Sequence, residues 1–341
     1  MYRVKSLNMK IAIVKLSALG DIVHAMIVLQ FIKRNLPNST IDWVVEEGFK
    51  AILENNPDIN KIHTVNIKKA KKNKSLKLLF QEVSKLKKLP KYDVVIDAQG
   101  LIKSAIVARF IPASKRFGFD KNSLRESFAA KFYTDTCRID YSENIIKRNV
   151  FVVSKALGFN ISHVDILDKK PFICSNSKIT PIDTRKPNIA FIPGASFKSK
   201  IYPVEKYIQL ANKLDANIVI LWGNSEEKLM AEQIQSSSKN VSISNKLTLD
   251  ELKLVISQVD VVIGGDTGPT HMAWAHNIPS ITLFGSTPGY RNTYTTNINK
   301  IIESESAVNP YKIDKHDFSI KAIKVDDIVK ITQELLFKDK S

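Results

Sequence analysis

"KIAIVKLSALGDIVHAMIVLQFIKRNLPN", residues 10–38, joins an apolar run, Ile11 to Val14, to a helical pattern through a short polar loop. The run is apolar on both faces, as a strand buried in a parallel sheet must be. The helix behind it carries Ile22, Val23, Met26, Ile27, Leu29 and Phe31. At the joint stand Ser17, Gly20 and Asp21. A carboxylate at a helix mouth satisfies orphan amides and suits the dipole, and a glycine eases a tight turn. Capping and chemistry are both open at this point, because strand-to-helix loops use these residues routinely.

The same scheme recurs along the chain. The first half predicts strands at 10–14, 41–45, 62–65 and 94–97, with helices starting near Asp21, Gly48 and Ser75. In the second half "NIAFIPG", "NIVILWG", "VDVVIGGD" and "PSITLFG" each run from an apolar strand into a glycine or polar turn. Between the halves "CSNSKITPIDTRKPN", residues 174–188, is polar with two prolines and reads as a linker. The fold class is α/β: two doubly wound parallel-sheet domains, 1–175 and 185–324, facing a cleft. Ligands are expected at the carboxyl ends of the strands. The amphipathic "DDIVKITQELLF" follows, and residues 325–341 are expected to form a last helix packing back on the N-terminal domain.

Composition narrows the partner. Lys+Arg number 51 against 34 Asp+Glu, a formal charge of +17 over 341 residues, which suits an anionic substrate or surface. Cys137 and Cys174 form no CxxC, which fits a reducing compartment without a disulfide framework or zinc site. No apolar leader precedes Lys10, and Met9 is an equally good start, with residues 1–8 an extension. No stretch approaches the ~18 apolar residues of a membrane span. Neither GxGxxG after a strand nor GxxxxGK[ST] occurs, so an ordinary dehydrogenase or P-loop NTPase is disfavoured. A nucleic-acid-binding protein is the rival from another class. The positive charge lacks the aromatic interleaving or module that such a protein would show.

Three loops of the second half carry candidate chemistry. In "VVIGGDTGPTHMAWAH" a strand ends at Ile263, two glycines permit close approach, and Asp266-Thr267-Gly268 opens a helix bearing His271. Such a helix mouth suits a diphosphate, although a glycine turn with an Asp cap and a core histidine would look similar. "IPGASFKSKIYP" places Gly194, Ala195 and Ser196 beside Lys198 and Lys200, lysines within reach of a phosphate or simply solvated. "LWGNSEE" places Glu226 and Glu227 at a helix start, to serve the dipole or to accept from ribose hydroxyls.

Taken together, "VKLSALGDIVHA", "IDWVVEEGF", "YDVVIDAQGLIKSA", "RES", "LWGNSEE" and "GGDTGPTHMAWA" resemble the lipopolysaccharide heptosyltransferases of glycosyltransferase family 9. The likeness runs from about Lys10 to Tyr294. Its "VVEEGF" and "DAQGLIKSA" runs look like members that add the first heptose to Kdo-lipid A, rather than those that add the second. The resemblance implies a GT-B fold, an ADP-heptose donor and inverting transfer without an obligatory metal or other cofactor. A monomeric enzyme is expected, in the cytoplasm and peripheral on the inner face of the bacterial inner membrane, with no nucleic-acid partner.

Residue by residue, Asp21 matches the catalytic base and Lys200 the lysine beside the donor phosphates. Glu227, or its neighbour Glu226, matches the ribose ligand. Asp266, Thr267, Gly268 and His271 match the run that contacts diphosphate and heptose. Lys15, Ser17 and Gly20 match the loop around the base, and Arg125 an arginine on the acceptor side. Where relatives often carry a Thr-Thr pair, this chain has Ala195-Ser196, so one hydroxyl contact to phosphate is in question.

One carboxylate suffices for such a transfer. It takes the acceptor hydroxyl's proton, while ADP, already a good leaving group, needs no acid partner. The segment 67–91 holds ten lysines against one glutamate, among them Lys68, Lys69, Lys71 and Lys72. It reads as a solvated helix face or, preferred here, as attraction to an anionic lipid acceptor and membrane. There each charge near the surface contributes about 1 kcal/mol.

Overall fold

The computed structural model describes residues 8–178 and 185–337. Most of the suggested N-terminal extension, the centre of the linker and the last four residues lie outside them. The chain divides into two compact units, Met1–Phe172 and Ile173–Ser341.

In the first unit the strands are β1 (Lys10–Val14), β2 (Thr40–Glu46), β3 (Lys61–Val65), β4 (Tyr92–Asp97), β5 (Ala113–Phe119) and β6 (Asp135–Cys137). They form one sheet in the order β3-β2-β1-β4-β5-β6, parallel throughout. Ile11 stands opposite Ile41 on one side and Val94 on the other, so β1 is central. The helices are α1 (Leu19–Met26), α2 (Val28–Asn35), α3 (Lys50–Leu53), α4 (Ile67–Lys72), α5 (Leu76–Lys87), α6 (Ile102–Phe110), α7 (Ile145–Leu157) and α8 (His163–Leu167). Gly20 lies inside the first turn of α1, not in the loop where a tight turn was expected.

The second unit repeats the plan. Its strands are β7 (Asn188–Ile192), β8 (Asn217–Ile220), β9 (Val241–Ile243), β10 (Val261–Gly265), β11 (Ser280–Phe284) and β12 (Asn299–Glu303). Their order is β12-β11-β10-β7-β8-β9, again all parallel. The helices are α9 (Val204–Lys213), α10 (Ser225–Ser236), α11 (Leu249–Gln258), α12 (Gly268–His276), α13 (Gly289–Asn292) and α14 (Val325–Phe337). Each sheet thus reverses its winding once, between β1 and β4 in one and between β7 and β10 in the other. At such a reversal the loops diverge and leave a crevice for ligand. Gly264 lets β10 run close to β7: a Cβ there would meet Ile192 Cβ at 2.7 Å.

The linker joins the second unit sooner than expected. Asp250 accepts from the Ser175 and Ser177 hydroxyls and from the Asn176 and Ser177 amides. Burial would raise its carboxyl, but the Lys253 ammonium and these hydroxyls outweigh burial and hold it well below the usual carboxylate range.

The last helix corrects an expectation. Its apolar face was expected on the N-terminal domain. Instead Val325, Ile328 and Leu335 are buried among Ile189, Phe191, Tyr207, Ile263 and Ile281 of the second unit. The i, i+3, i+10 spacing provides one apolar stripe, and the second sheet occupies it. Ile328→Ala should therefore cost the second unit about 2–5 kcal/mol. Hydrogen exchange should quicken in β10 and β11 and stay unchanged in β1 and β4. Faster exchange in β1 would return the helix to the first unit.

Candidate active site

At the reversal of the first sheet, Gln99 joins the loops after β1 and β4. Its carboxamide oxygen accepts the Leu16 amide at 2.7 Å, and its nitrogen donates to the Ser17 carbonyl at 2.8 Å. Lys103, in the first turn of α6, donates to Ser17 Oγ at 2.8 Å. Asp21 sits at the third position of α1 and accepts the Ala18 amide at 3.2 Å. Its side chain therefore caps, as the plain reading has it, and is partly exposed beside the Ser17 loop.

Two neighbouring acids are unlike it. Asp97 is fully buried and accepts from the Gln99 and Gly100 amides and the Tyr133 hydroxyl. Burial pushes its carboxyl up despite those bonds. Its place is to shape the turn after β4. Glu46 is buried at the end of β2, where it accepts the Lys68 amide at 3.1 Å. Burial raises its carboxyl, against the Lys68 amide and the charges of Lys103 and Lys68.

The acceptor-side candidates separate. Lys15 is buried, with Nζ on the Ala98 carbonyl at 2.9 Å and Asn149 Oδ1 at 3.4 Å. It is thus held inside the unit, with its ammonium on the turn after β4 and on α7. Arg125 is exposed, 3.9 Å from Glu126, whose other oxygen accepts the Ile102 amide at the start of α6. Lys68, Lys69 and Lys72 are exposed on α4, which leaves β3 at the same end of the sheet. The side chain of Lys71 lies outside those described.

At the second reversal a carboxylate organises everything. The Asp266 side chain is 8% exposed. It accepts from Lys200 Nζ at 2.6 Å, Thr287 Oγ1 at 2.9 Å and Asn292 Nδ2 at 3.1 Å, and it lies 3.0 Å from His271 Nε2. Burial alone would raise its carboxyl, but the Lys200 ammonium and His271 outweigh it and hold it well below the usual range. Asp266 was expected to contact the donor. In this structure its oxygens hold Lys200 and His271 in place. Thr267, which caps α12, makes no side-chain cap bond. Pro269, second in α12, has no N–H, but the Gly268 and Thr270 amides retain the anion-binding character of a helix mouth.

Beside this hub Glu227 is distinguished from Glu226. Glu226 is exposed, whereas Glu227 accepts the Gly223 amide and the Asn224 side chain, both at 2.7 Å. It lies over Gly194, where a Cβ would fall 2.3 Å from its carboxyl carbon. Ala195 is half-buried and Ser196 exposed in the same loop. Sequence reasoning missed Gln99, Lys103, Thr287 and Asn292. All four lie just past the carboxyl ends of β4 and β11, the position that could have marked them. Among the described residues, no group of three or more His, Cys, Asp or Glu is placed to hold a metal ion.

Residues 83–316 match glycosyltransferase family 9 (heptosyltransferase). The chain is 40% identical over 344 residues to lipopolysaccharide heptosyltransferase 1 of Campylobacter coli, covering 96% of this chain and 99% of that protein. It is 28% identical to lipopolysaccharide heptosyltransferase 1 of Escherichia coli K12, covering 85% and 92%. The structure of E. coli heptosyltransferase WaaC with ADP superposes at a TM-score of 0.79 and 24% identity, covering 96% of this chain and 100% of that one. E. coli ADP-heptose lps heptosyltransferase II superposes at 0.71 and 17%, covering 98% and 100%. Two Rossmann-like units with this strand order, matched over nearly the whole chain by these solved structures, make the fold GT-B. The chain belongs to glycosyltransferase family 9, the heptosyltransferases.

Asp266→Asn should leave the Lys200 ammonium buried without its counter-charge, at about 3–5 kcal/mol. The folded-state carboxyl lies below its unfolded value of ~3.9, so its contribution is present above that value and fades as pH falls below it. Denaturant titrations of parent and variant should differ by a constant amount from neutrality to about pH 5, and the gap should begin to narrow below about pH 4. A gap that widened in acid would contradict the ion pair.

Proposed function

We propose that this enzyme transfers L-glycero-D-manno-heptose from ADP-heptose to a Kdo residue of Kdo-lipid A, with inversion, as the first heptose of the lipopolysaccharide inner core. The observation that carries the reading is the pairing of an Asp-anchored lysine with an uncapped helix mouth at one switch point. The likeness to proteins named heptosyltransferase 1 supports the acceptor.

In the second unit the donor's diphosphate would meet the Gly268 end of α12 and Lys200. An ammonium has three N–H groups. Two contacts of Lys200 are on Asp266, at 2.6 and 3.4 Å, which leaves a third donor for a phosphate oxygen. As the glycosidic C–O bond breaks, negative charge grows on the departing ADP, and these preorganised donors stabilise it. Glu227 would accept from the ribose hydroxyls, exchanging its present bond to Asn224 for them.

In the first unit Asp21 would take the proton of the acceptor hydroxyl as that oxygen attacks the anomeric carbon. Lys103, Arg125 and the exposed lysines of α4 supply positive charge around a carboxylated, phosphorylated acceptor. No described helix is long and apolar enough to cross a membrane. The polybasic segment is proposed to hold a monomeric enzyme at the cytoplasmic face of the inner membrane by charge.

Glu227→Ala should weaken ADP binding about tenfold or more in calorimetry, as loss of a charged hydrogen-bond partner does. Unchanged affinity would misplace the ribose.

Asp21→Asn separates capping from base catalysis. An amide oxygen still accepts the Ala18 N–H, so the melting temperature should barely move. An amide takes up no proton at neutral pH, and loss of a general base removes about 10²–10⁴ in rate. With ADP-heptose and Kdo-lipid A, mass analysis of the product should show turnover reduced at least about a hundredfold. Parent-like turnover would reduce Asp21 to a cap. Transfer by the parent to heptosyl-Kdo-lipid A alone would reassign the acceptor.

A further inference from the structure

The α4–α5 segment carries a feature that its lysines do not explain. Leu76 is 82% exposed, Phe80 76% and Leu79 41%. Their i, i+3, i+4 spacing puts all three on adjoining positions of one helix surface. None is needed to seat α5. Leu86 is buried in the core of the first sheet, packed with Ile67 and Leu89, and Glu82 is buried too, accepting the Asn66 amide at 3.1 Å. A single exposed leucine is ordinary, but a contiguous apolar pad is not.

Its surroundings identify the occupant. Lys72 and Lys74 precede the pad, Lys77 lies within it, and Lys87 and Lys88 close the same helix; all five are exposed. A lysine collar around an apolar centre complements a surface that is anionic outside and hydrocarbon within. Lysine stems lie along the apolar boundary while their ammonium groups stay with phosphates. An acidic protein partner would satisfy the collar but leave Leu76 and Phe80 against polar surface. The segment is also held at the acceptor end of the sheet, since the Lys68 amide is bonded to Glu46 and the Glu46 amide to the Leu16 carbonyl.

We propose that α5 docks the enzyme on an anionic bilayer by inserting Leu76, Leu79 and Phe80 below the headgroups, within the lysine collar. This rests on the lipid-linked acceptor proposed above and adds that the enzyme enters the bilayer boundary rather than only hovering over its charge.

The test uses the full chain and vesicles of phosphatidylcholine with or without phosphatidylglycerol. They contain no glycolipid acceptor, so the outcome is independent of any transfer assay. The parent should bind the phosphatidylglycerol vesicles, and raised salt should weaken binding without abolishing it. Leu76→Gln/Phe80→Gln should bind at least about tenfold more weakly, with the salt-resistant part gone. Both side chains are exposed, so its melting temperature should match the parent's. Phe80→Trp should gain, above the parent's emission, a blue-shifted component quenched by lipids brominated high on their acyl chains.

Parent-like binding by the double variant would overturn the proposal. So would emission from Phe80→Trp that stays solvent-like on bound vesicles, since the lysines would then act alone. A double variant that lost self-association in sedimentation, with vesicle binding unchanged, would make the pad an interface between copies of the chain and overturn the proposal equally.

Discussion

The second unit's site depends on the burial of one negative charge. An isolated carboxylate removed from water is costly, and what makes Asp266 tolerable is that every oxygen is answered. Lys200, Thr287, Asn292 and His271 converge on it from the loops after β7, β10 and β11. The same bonds fix where those loops can stand. Gly265 completes the arrangement, because a Cβ there would fall 2.9 Å from the Lys200 carbonyl. The loop that brings the lysine can therefore lie directly against the strand end. The cation that would stabilise a departing diphosphate is held by the anion beneath it, before any ligand arrives.

The first unit solves the corresponding problem with a neutral group. Gln99 both accepts and donates, so it clamps the Leu16–Ser17 backbone without adding charge beside Asp21. The positive charge there comes from Lys103 on Ser17, and a buried Glu46 tempers it. Asp21 stands partly exposed beside this clamp, whereas Asp97 is buried under the turn after β4. Both units place these groups where the winding of the sheet reverses, and the strand order alone determines that location.

The fold was legible because buried parallel strands leave continuous apolar runs. "IAIV", "DVVID" and "VVIGG" mark β1, β4 and β10 within a residue or two. β5, β6, β9 and β12 were missed: all but β5 are edge strands, and "ASKRFGF" and "DTC" are half polar, as strands towards a sheet's margin can be. Asp21, Lys200, Asp266 and Glu227 were singled out by their position just past strand ends. Direction was not legible. Nothing in the sequence says that Lys15 turns inward to Ala98, or that Lys200, Thr287 and Asn292 gather on the Asp266 carboxylate. Those depend on which loops the sheet order brings together. Glu226 and Glu227 are equivalent as text and differ only because a helix turns about 100° per residue. The last helix failed for a related reason: its apolar stripe is plain in the sequence, but the surface that receives it is not.

The glycine under Glu227 has a consequence for how this chain can change over time. The carboxylate occupies the space that any larger residue at 194 would need, with its Cγ 2.4 Å from where a Cβ would begin. Position 194 is not free to drift alone. A side chain there requires the glutamate to withdraw, and a withdrawn glutamate gives up its bond to the Gly223 amide. The dependence runs one way: a smaller residue at 227 leaves the glycine undisturbed, so position 194, thirty-three residues away in the chain, is expected to change only where 227 has changed first.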